Sequence, residues 1–263
     1  MQGSPCNMFP AGGIADMDRL LGECRKLGTV FDVIGFHPYR NAPENPDLDS
    51  DTRSAFAMLK KNGYPDTTPL YWGEMMHWGP YEIPQWGTKT SSWNGTPRTW
   101  PGNTTLSYDM GRTEQRSAAW RARSWLVALK YSSRILSANS GNTNNFALDL
   151  YLTPRASQMV SNTLANLLGD SEFRKDIRFA PFVRAYVFED ARKRPVAAVW
   201  CHKESVDYGT DDAPLVEADF GNSLESVIDL MNQERDFQPG KLKFPVMGAP
   251  LFFRGRTGTL AQM

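Results

Sequence analysis

The sequence predicts a mixed chain: an α/β unit of alternating helices and short strands, followed by an all-β unit. Two observations carry this. Up to about residue 175, helix-period stretches alternate with short apolar runs rich in β-formers, the pattern of parallel βαβ units. Beyond that point the helical period stops, and short strands follow one another between polar or Gly/Pro turns. The expected units are therefore 1–175 and 176–263.

Taken in order, Ile14, Met17, Leu20, Leu21 and Cys24 recur at three and four, so residues 14–27 predict a helix that Gly28 ends. Phe31-Asp-Val-Ile-Gly-Phe-His-Pro-Tyr39 opens as a buried strand and is closed by its proline. Residues 52–62 predict a second helix with Ala55, Phe56, Met58 and Leu59 inward and Gly63 as its stop. Pro69-Leu-Tyr-Trp-Gly-Glu74 is a second short strand. Residues 113–133 read as a helix with Ala118, Ala122, Trp125, Leu126 and Leu129 as its stripe, leaving Arg121 and Arg123 on a solvated face. Phe146-Ala-Leu-Asp-Leu-Tyr-Leu152 is the third expected parallel strand, and residues 156–168 the next helix, ended by Gly169. In the second unit the expected strands are 184–189, 196–202, 215–220, 226–230, 241–246 and 250–254, with His202 at the surface.

The 263 residues, 41% of them hydrophobic, suffice for a packed core. Lys+Arg and Asp+Glu both number 29, so nothing draws the chain electrostatically to nucleic acid or to an anionic membrane surface. No apolar run is long enough to span a bilayer. The start lacks the basic and apolar regions of a secretory signal, which favours the cytoplasm. Cys6, Cys24 and Cys201 are odd in number and show no metal-ligand spacing, so free thiols, no metal and no cofactor are expected.

The aromatic residues, 12% of the chain with 8 Trp, crowd between Tyr71 and Trp100. Interleaved Gly and Pro deny that stretch a continuous helix or strand, so it reads as a long ordered loop. Flat rings there suit the C–H faces of sugars; the same rings would also serve simply to pin the loop to the body. In parallel α/β barrels the working residues stand at the C-terminal ends of strands. Two strand ends carry such residues here: Gly35-Phe-His37-Pro-Tyr39-Arg40 and Trp72-Gly-Glu74-Met-Met-His77-Trp78. A carboxylate closing a buried strand needs solvent or partners, and a polar cleft supplies both.

These segments resemble clan A glycoside hydrolases. Residues 31–40 resemble their sixth barrel strand, which often ends in His-x-Tyr, and residues 69–74 resemble the seventh, which ends in the nucleophilic Glu. Val227-Ile-Asp-Leu-Met231 and Leu242-Lys-Phe-Pro-Val-Met-Gly-Ala-Pro-Leu-Phe-Phe-Arg254 resemble the strands of the closing β-domain. Within that clan the likeness is to the branch of β-xylosidases and α-L-iduronidases. The resemblance implies the C-terminal portion of a (β/α)8 TIM barrel, strands six to eight, followed by a small antiparallel β-sandwich. It implies retaining hydrolysis of O-glycosidic bonds with Glu74 as the catalytic nucleophile. His37 and Tyr39 would bind the substrate or the carboxylate, and Trp78 and Trp86 would wall the cleft.

The chain departs from the pattern in two ways. The family's Asn-Glu pair, whose Glu is the acid/base, does not occur, and Glu44 and Glu82 match no family position. The expected eighth strand carries Asp149 and Tyr151 in place of a terminal Trp. The expectation is therefore a carbohydrate-acting chain whose activity needs the first five strands, supplied by a preceding segment or a partner chain. The alternative is a non-catalytic carbohydrate-binding or scaffold fragment.

Overall fold

The computed structural model describes residues 13–36, 38, 42–44, 47–72, 91–93, 96–98, 114–131, 135–137, 154, 156–207 and 211–263. The chain divides into two compact units, one formed by 1–77 with 123–140 and the other by 78–122 with 141–263.

In the first unit, α1 (Gly13–Lys26) buries Met17 and Leu21, two members of the expected apolar face. Strand β1 (Ile34–Phe36) leads to α2 (Leu48–Lys61) and then to β2 (Leu70–Trp72). Helix α2 starts earlier than expected because Asp47 caps it, accepting from the backbone N–H of Asp49 at 3.3 Å. Its inward residues are the expected Ala55, Phe56, Met58 and Leu59, together with Leu48. At its far end Asn62 donates to Asp18 at 2.7 Å and Lys61 pairs with the same carboxylate, tying α2 to α1. Gly63 takes φ 73°, the left-handed conformation that stops a helix without steric cost.

The two strands pair in parallel, Ile34 opposite Leu70 and Phe36 opposite Trp72. The strand on the other side of β2 comes from a stretch that the sequence reading assigns to no strand. Ile135–Ser137, here β5, runs parallel to β2 with Leu70 opposite Ile135 and Trp72 opposite Ser137. The sheet order is β1-β2-β5. The segment 146–152, expected to hold this third position, lies outside the described residues. Ile34, Leu70, Trp72 and Ile135 are all buried, as in a parallel sheet covered on both faces. In the expected aromatic loop, β3 (Ser91–Trp93) and β4 (Thr96–Arg98) form an antiparallel pair.

Helix α3 (Glu114–Lys130) corrects the sequence reading of its polar side. Every residue from Arg116 to Ser124 is buried, and Arg121 and Arg123 do not face solvent. Arg123 is fully buried and pairs with Glu44 at 2.7 Å. Burial pulls the Arg121 guanidinium down to about 10. An alternating polar pattern on a helix reads as a wet face unless the partners that bury it are known, and Glu44 lies 79 positions away.

The second unit is built on a six-stranded antiparallel sheet, in the order β11-β10-β13-β8-β7-β6. Its strands are β6 (Ser171–Ala180), β7 (Val183–Asp190), β8 (Pro195–Cys201), β10 (Leu224–Ile228), β11 (Glu234–Arg235) and β13 (Leu251–Gly255). A two-stranded ribbon of β9 (Leu215–Asp219) and β12 (Lys241–Pro245) stands apart in pairing. Ribbon and sheet share one core: Val183, Ala185, Val187, Ala197, Val199, Cys201 and Phe253 from the sheet meet Val216 of β9, with Leu242 and Phe244 of β12 half-buried against them.

Both faces of β7 and β8 are covered, and every residue of the two strands is buried. On the face opposite the shared core, Tyr186 meets Trp200 edge-on at 5.0 Å, and Phe173 meets Tyr186 and Phe188 at 5.5 and 5.7 Å. Helix α4 (Ala156–Leu168) lies against β7, and its Thr163 hydroxyl donates to the carbonyl of Leu230 at 3.0 Å. A short helix α5 (Glu204–Asp207) accepts the Trp120 indole N–H on Asp207 at 2.8 Å.

Two aspartates hold the turns. Asp190 accepts from the N–H groups of Arg192 and Arg194 at 2.9 Å each, and Asp229 accepts from those of Met231 and Gln233 at 2.9 Å each.

Candidate functional site

The parallel pairing fixes which residues share a rim. Phe36, Trp72 and Ser137 are the last residues of β1, β2 and β5 and stand in one row across the sheet. All three strands run the same way, so the chain leaves them at one edge, the C-terminal edge where α/β sheets carry their chemistry. His37 follows Phe36 in sequence, and Glu74 follows Trp72 by two residues. His37, Tyr39, Glu74, Trp78 and Trp86 themselves lie outside the described residues. Pro38, between His37 and Tyr39, is buried.

The segment that follows this rim is held at its far end. Glu44 and Asp47 form an isolated antiparallel bridge, and the Leu48 N–H donates to the Pro43 carbonyl at 2.8 Å. The Glu44 carboxylate receives the Arg123 guanidinium. That pairing gives Glu44 an anchoring task. Glu44 is thereby tied to α3 by a charged hydrogen bond in which Arg123 is fully buried and Glu44 is 9% exposed.

A second buried network joins α2 to the end of α3. Asp49, fully buried, accepts from the Tyr131 hydroxyl at 2.7 Å, from Lys130 at 3.2 Å and from Arg53 at 2.7 Å. Burial alone would lift its pKa. The Tyr131 hydrogen bond and the Lys130 and Arg53 charges outweigh that and hold the carboxyl below the usual carboxylate range. Tyr131 also packs on Phe56, with ring centroids 5.4 Å apart. Helix α2 and the end of α3 are thus locked to each other by polar contacts.

Ser137 is the rim residue that sequence reasoning missed. The signal for its strand is three residues, Ile135-Leu-Ser137, too short to stand out beside the longer apolar run at 146–152. In the second unit, a groove of about 500 Å³ is lined by Phe237, Leu242, Phe244 and Phe253 with Arg235 at its edge. The Arg235 charge is engaged by Asp229 at 2.6 Å. Among the described residues no three His, Cys, Asp or Glu side chains gather as a metal site, and no helix is long and apolar enough to cross a membrane.

No protein-family model matches the chain, and no curated protein matches it. Among solved structures it aligns with a GH27 β-L-arabinopyranosidase from Geobacillus stearothermophilus. That alignment has a TM-score of 0.40 and 9% identity, over 94% of this chain and 62% of that one. It also aligns with a glycoside hydrolase family 30 subfamily 8 xylanase from Clostridium acetobutylicum, with a TM-score of 0.40 and 10% identity over 93% of this chain and 71% of that one. An α-galactosidase from Mortierella vinacea gives a TM-score of 0.37 and 12% identity over 98% of this chain and 77% of that one. The chain spans about three fifths of the length of the arabinopyranosidase. By their names, these three structures are glycosidases.

Proposed function

We propose that this chain is the C-terminal portion of a retaining glycoside hydrolase, with residues 1–175 contributing barrel strands six to eight and 176–263 forming a β-sandwich. Glu74 is its nucleophile. His37 and Tyr39 bind the sugar and keep the carboxylate ionised, and Trp78 and Trp86 wall the cleft. One observation carries the reading: β1 and β2 are adjacent and parallel, with Phe36 opposite Trp72. The two strands with the catalytic-strand resemblance therefore end at the same rim, and His37 and Glu74 follow them by one and two residues in sequence. The antiparallel pairing of β10 with β13, which lie in the segments resembling the closing β-domain, supports it further.

Retaining hydrolysis needs a second carboxyl group about 5–5.5 Å from the nucleophile to protonate the leaving oxygen and then activate water. No motif for it occurs in the sequence. In this reading it comes from the first five strands, in a preceding segment or a partner chain, and the chain alone hydrolyses aryl glycosides poorly. Loss of general acid catalysis is typically worth ~10²–10⁴-fold.

The test is trapping with fluorinated activated glycosides in a completed barrel, followed by peptide mass mapping. Label on Glu74, abolished in Glu74→Gln, is the expected result. Label on another residue overturns the assignment; robust hydrolysis by the chain alone would instead mean that it carries its own acid/base, Glu82 or Glu44, and would overturn the need for a completing half.

A further inference from the structure

Strands β6 and β7 meet in a hairpin whose tip departs from regular backbone geometry twice, and each departure exposes an aromatic ring. Pairing runs regularly through Ile177 opposite Ala185 and Arg178 opposite Arg184. One more regular step would set Phe179 opposite Val183, on the face where Val183 is buried in the core. The register shifts instead. Val183 pairs with Ala180, Phe179 becomes the extra residue of a bulge, and its side chain is 42% exposed.

The two-residue turn that follows is Pro181-Phe182, and Phe182 has φ 66°. Proline followed by a residue of positive φ is the type II pattern, in which the second position calls for Gly or Asn. A bulky ring there is an outlier that the chain maintains against its backbone preference, and such strain concentrates at functional positions. The strained residue is also held from the side: its carbonyl accepts from the His202 N–H at 2.7 Å, and its ring meets the His202 ring at 5.7 Å and 64°. This contact covers at most one face of a ring that is 49% exposed.

We propose that this hairpin tip is a carbohydrate-binding platform in which Phe182, braced by His202 and flanked by Phe179, stacks on pyranose rings of a polysaccharide. The choice of a polysaccharide as ligand rests on the glycosidase reading of the chain. The chemistry at the tip agrees with it. The C–H face of a pyranose is weakly positive and is attracted to the negative face of an aromatic ring. The hydroxyls at its edge need polar neighbours; Arg178 and Lys203, next in sequence to Phe179 and His202, and Glu204, one position further on, are all exposed. A protein or lipid partner would instead favour a continuous apolar patch.

The test is native gel electrophoresis of the whole chain through gels containing soluble xylan, galactomannan or arabinogalactan. It requires no turnover, so its outcome is independent of labelling at Glu74. At least one polysaccharide should retard the parent chain. Phe182→Gly should weaken that retardation at least tenfold while its melting temperature stays equal to or above the parent's, because glycine relieves the strained φ. Phe182→Tyr should keep it. The proposal is overturned if none of the three polysaccharides retards the parent, or if Phe182→Gly is retarded as strongly as the parent. It is also overturned if that variant loses self-association in sedimentation with its retardation unchanged, which would make the tip a contact between copies. Glu74 labelling with no retardation would sink this proposal alone, and retardation with no labelling would sink the catalytic reading alone.

Discussion

Replacing Asp49 by Ala removes the acceptor on which donors from two helices converge. Its weight follows from the exposure of each donor. The Arg53 side chain is 52% exposed, and a pair of that kind four residues apart on a helix contributes only ~0.3–0.5 kcal/mol. Lys130 is 10% exposed, and the Tyr131 hydroxyl bonds the carboxylate at 2.7 Å. Hydrogen bonds to a charged group contribute about 1.5–3 kcal/mol each. Breaking a buried pair from one side costs about 3–5 kcal/mol, so the two figures agree on roughly 4 kcal/mol for Asp49→Ala. Asp49→Asn, which keeps one acceptor oxygen, should cost about half of that.

The pH dependence has a defined sign. The folded pKa of Asp49 lies below its unfolded value. Its contribution is therefore complete above the unfolded pKa and disappears as pH falls through the folded one. Urea unfolding followed by circular dichroism should show the widest gap between parent and Asn variant near neutral pH, narrowing below the usual carboxylate range. A gap under ~1 kcal/mol at neutral pH, or one that widens on acidification, would refute the reasoning.

Other perturbations have equally definite outcomes. A Cβ at Gly169 would stand 2.4 Å from the Ala165 carbonyl oxygen, so Gly169→Ala must displace backbone at the end of α4. Thermal unfolding should register about 1–3 kcal/mol of destabilisation. Asp190→Ala removes the carboxylate that accepts from two backbone N–H groups and, at 2.7 Å, from Arg194 Nε in the β7–β8 turn. It should cost about 1–3 kcal/mol, and faster amide exchange should be seen first at Arg192 and Arg194.

Legibility in the sequence followed the strength of the local signal. α1, α2 and α4 carry unbroken three-and-four spacing with a glycine stop, and their expected positions agree with the structure to within a few residues. β7, β8 and β13 are apolar runs between turn residues and were equally legible. β6 was not, because Ser171–Ala180 carries Glu172, Arg174, Lys175, Asp176 and Arg178, and its two bulges break the alternation. Phe173 faces Tyr186 and Phe188, whereas Ile177 packs on the opposite core, so no single period of two describes the strand. Arg121 and Arg123 were misread for a related reason, since a charged residue's burial depends on partners remote in sequence. For the site, residue types and motif resemblance singled out Glu74, His37 and Tyr39. The resemblance to the sixth and seventh barrel strands also implied that the two strands preceding these residues are parallel neighbours, and the pairing of β1 with β2 agrees.

The order in which the large sheet is threaded bears on how it is made. Its strand β13, residues 251–255, lies between β8 and β10, although every other strand of that sheet precedes it in the chain. On the ribosome, β6, β7 and β8 can zip together as successive hairpins while synthesis continues. β10 and β11 then emerge without the neighbour that joins them to the rest. Throughout that interval the open edge of β8 presents Val196-Ala-Ala-Val-Trp200, an apolar run suited to pairing with a strand of another nascent chain. Codon changes that slow elongation between residues 201 and 251 would prolong this exposure, and with it the window in which a chaperone must shield the half-built sheet.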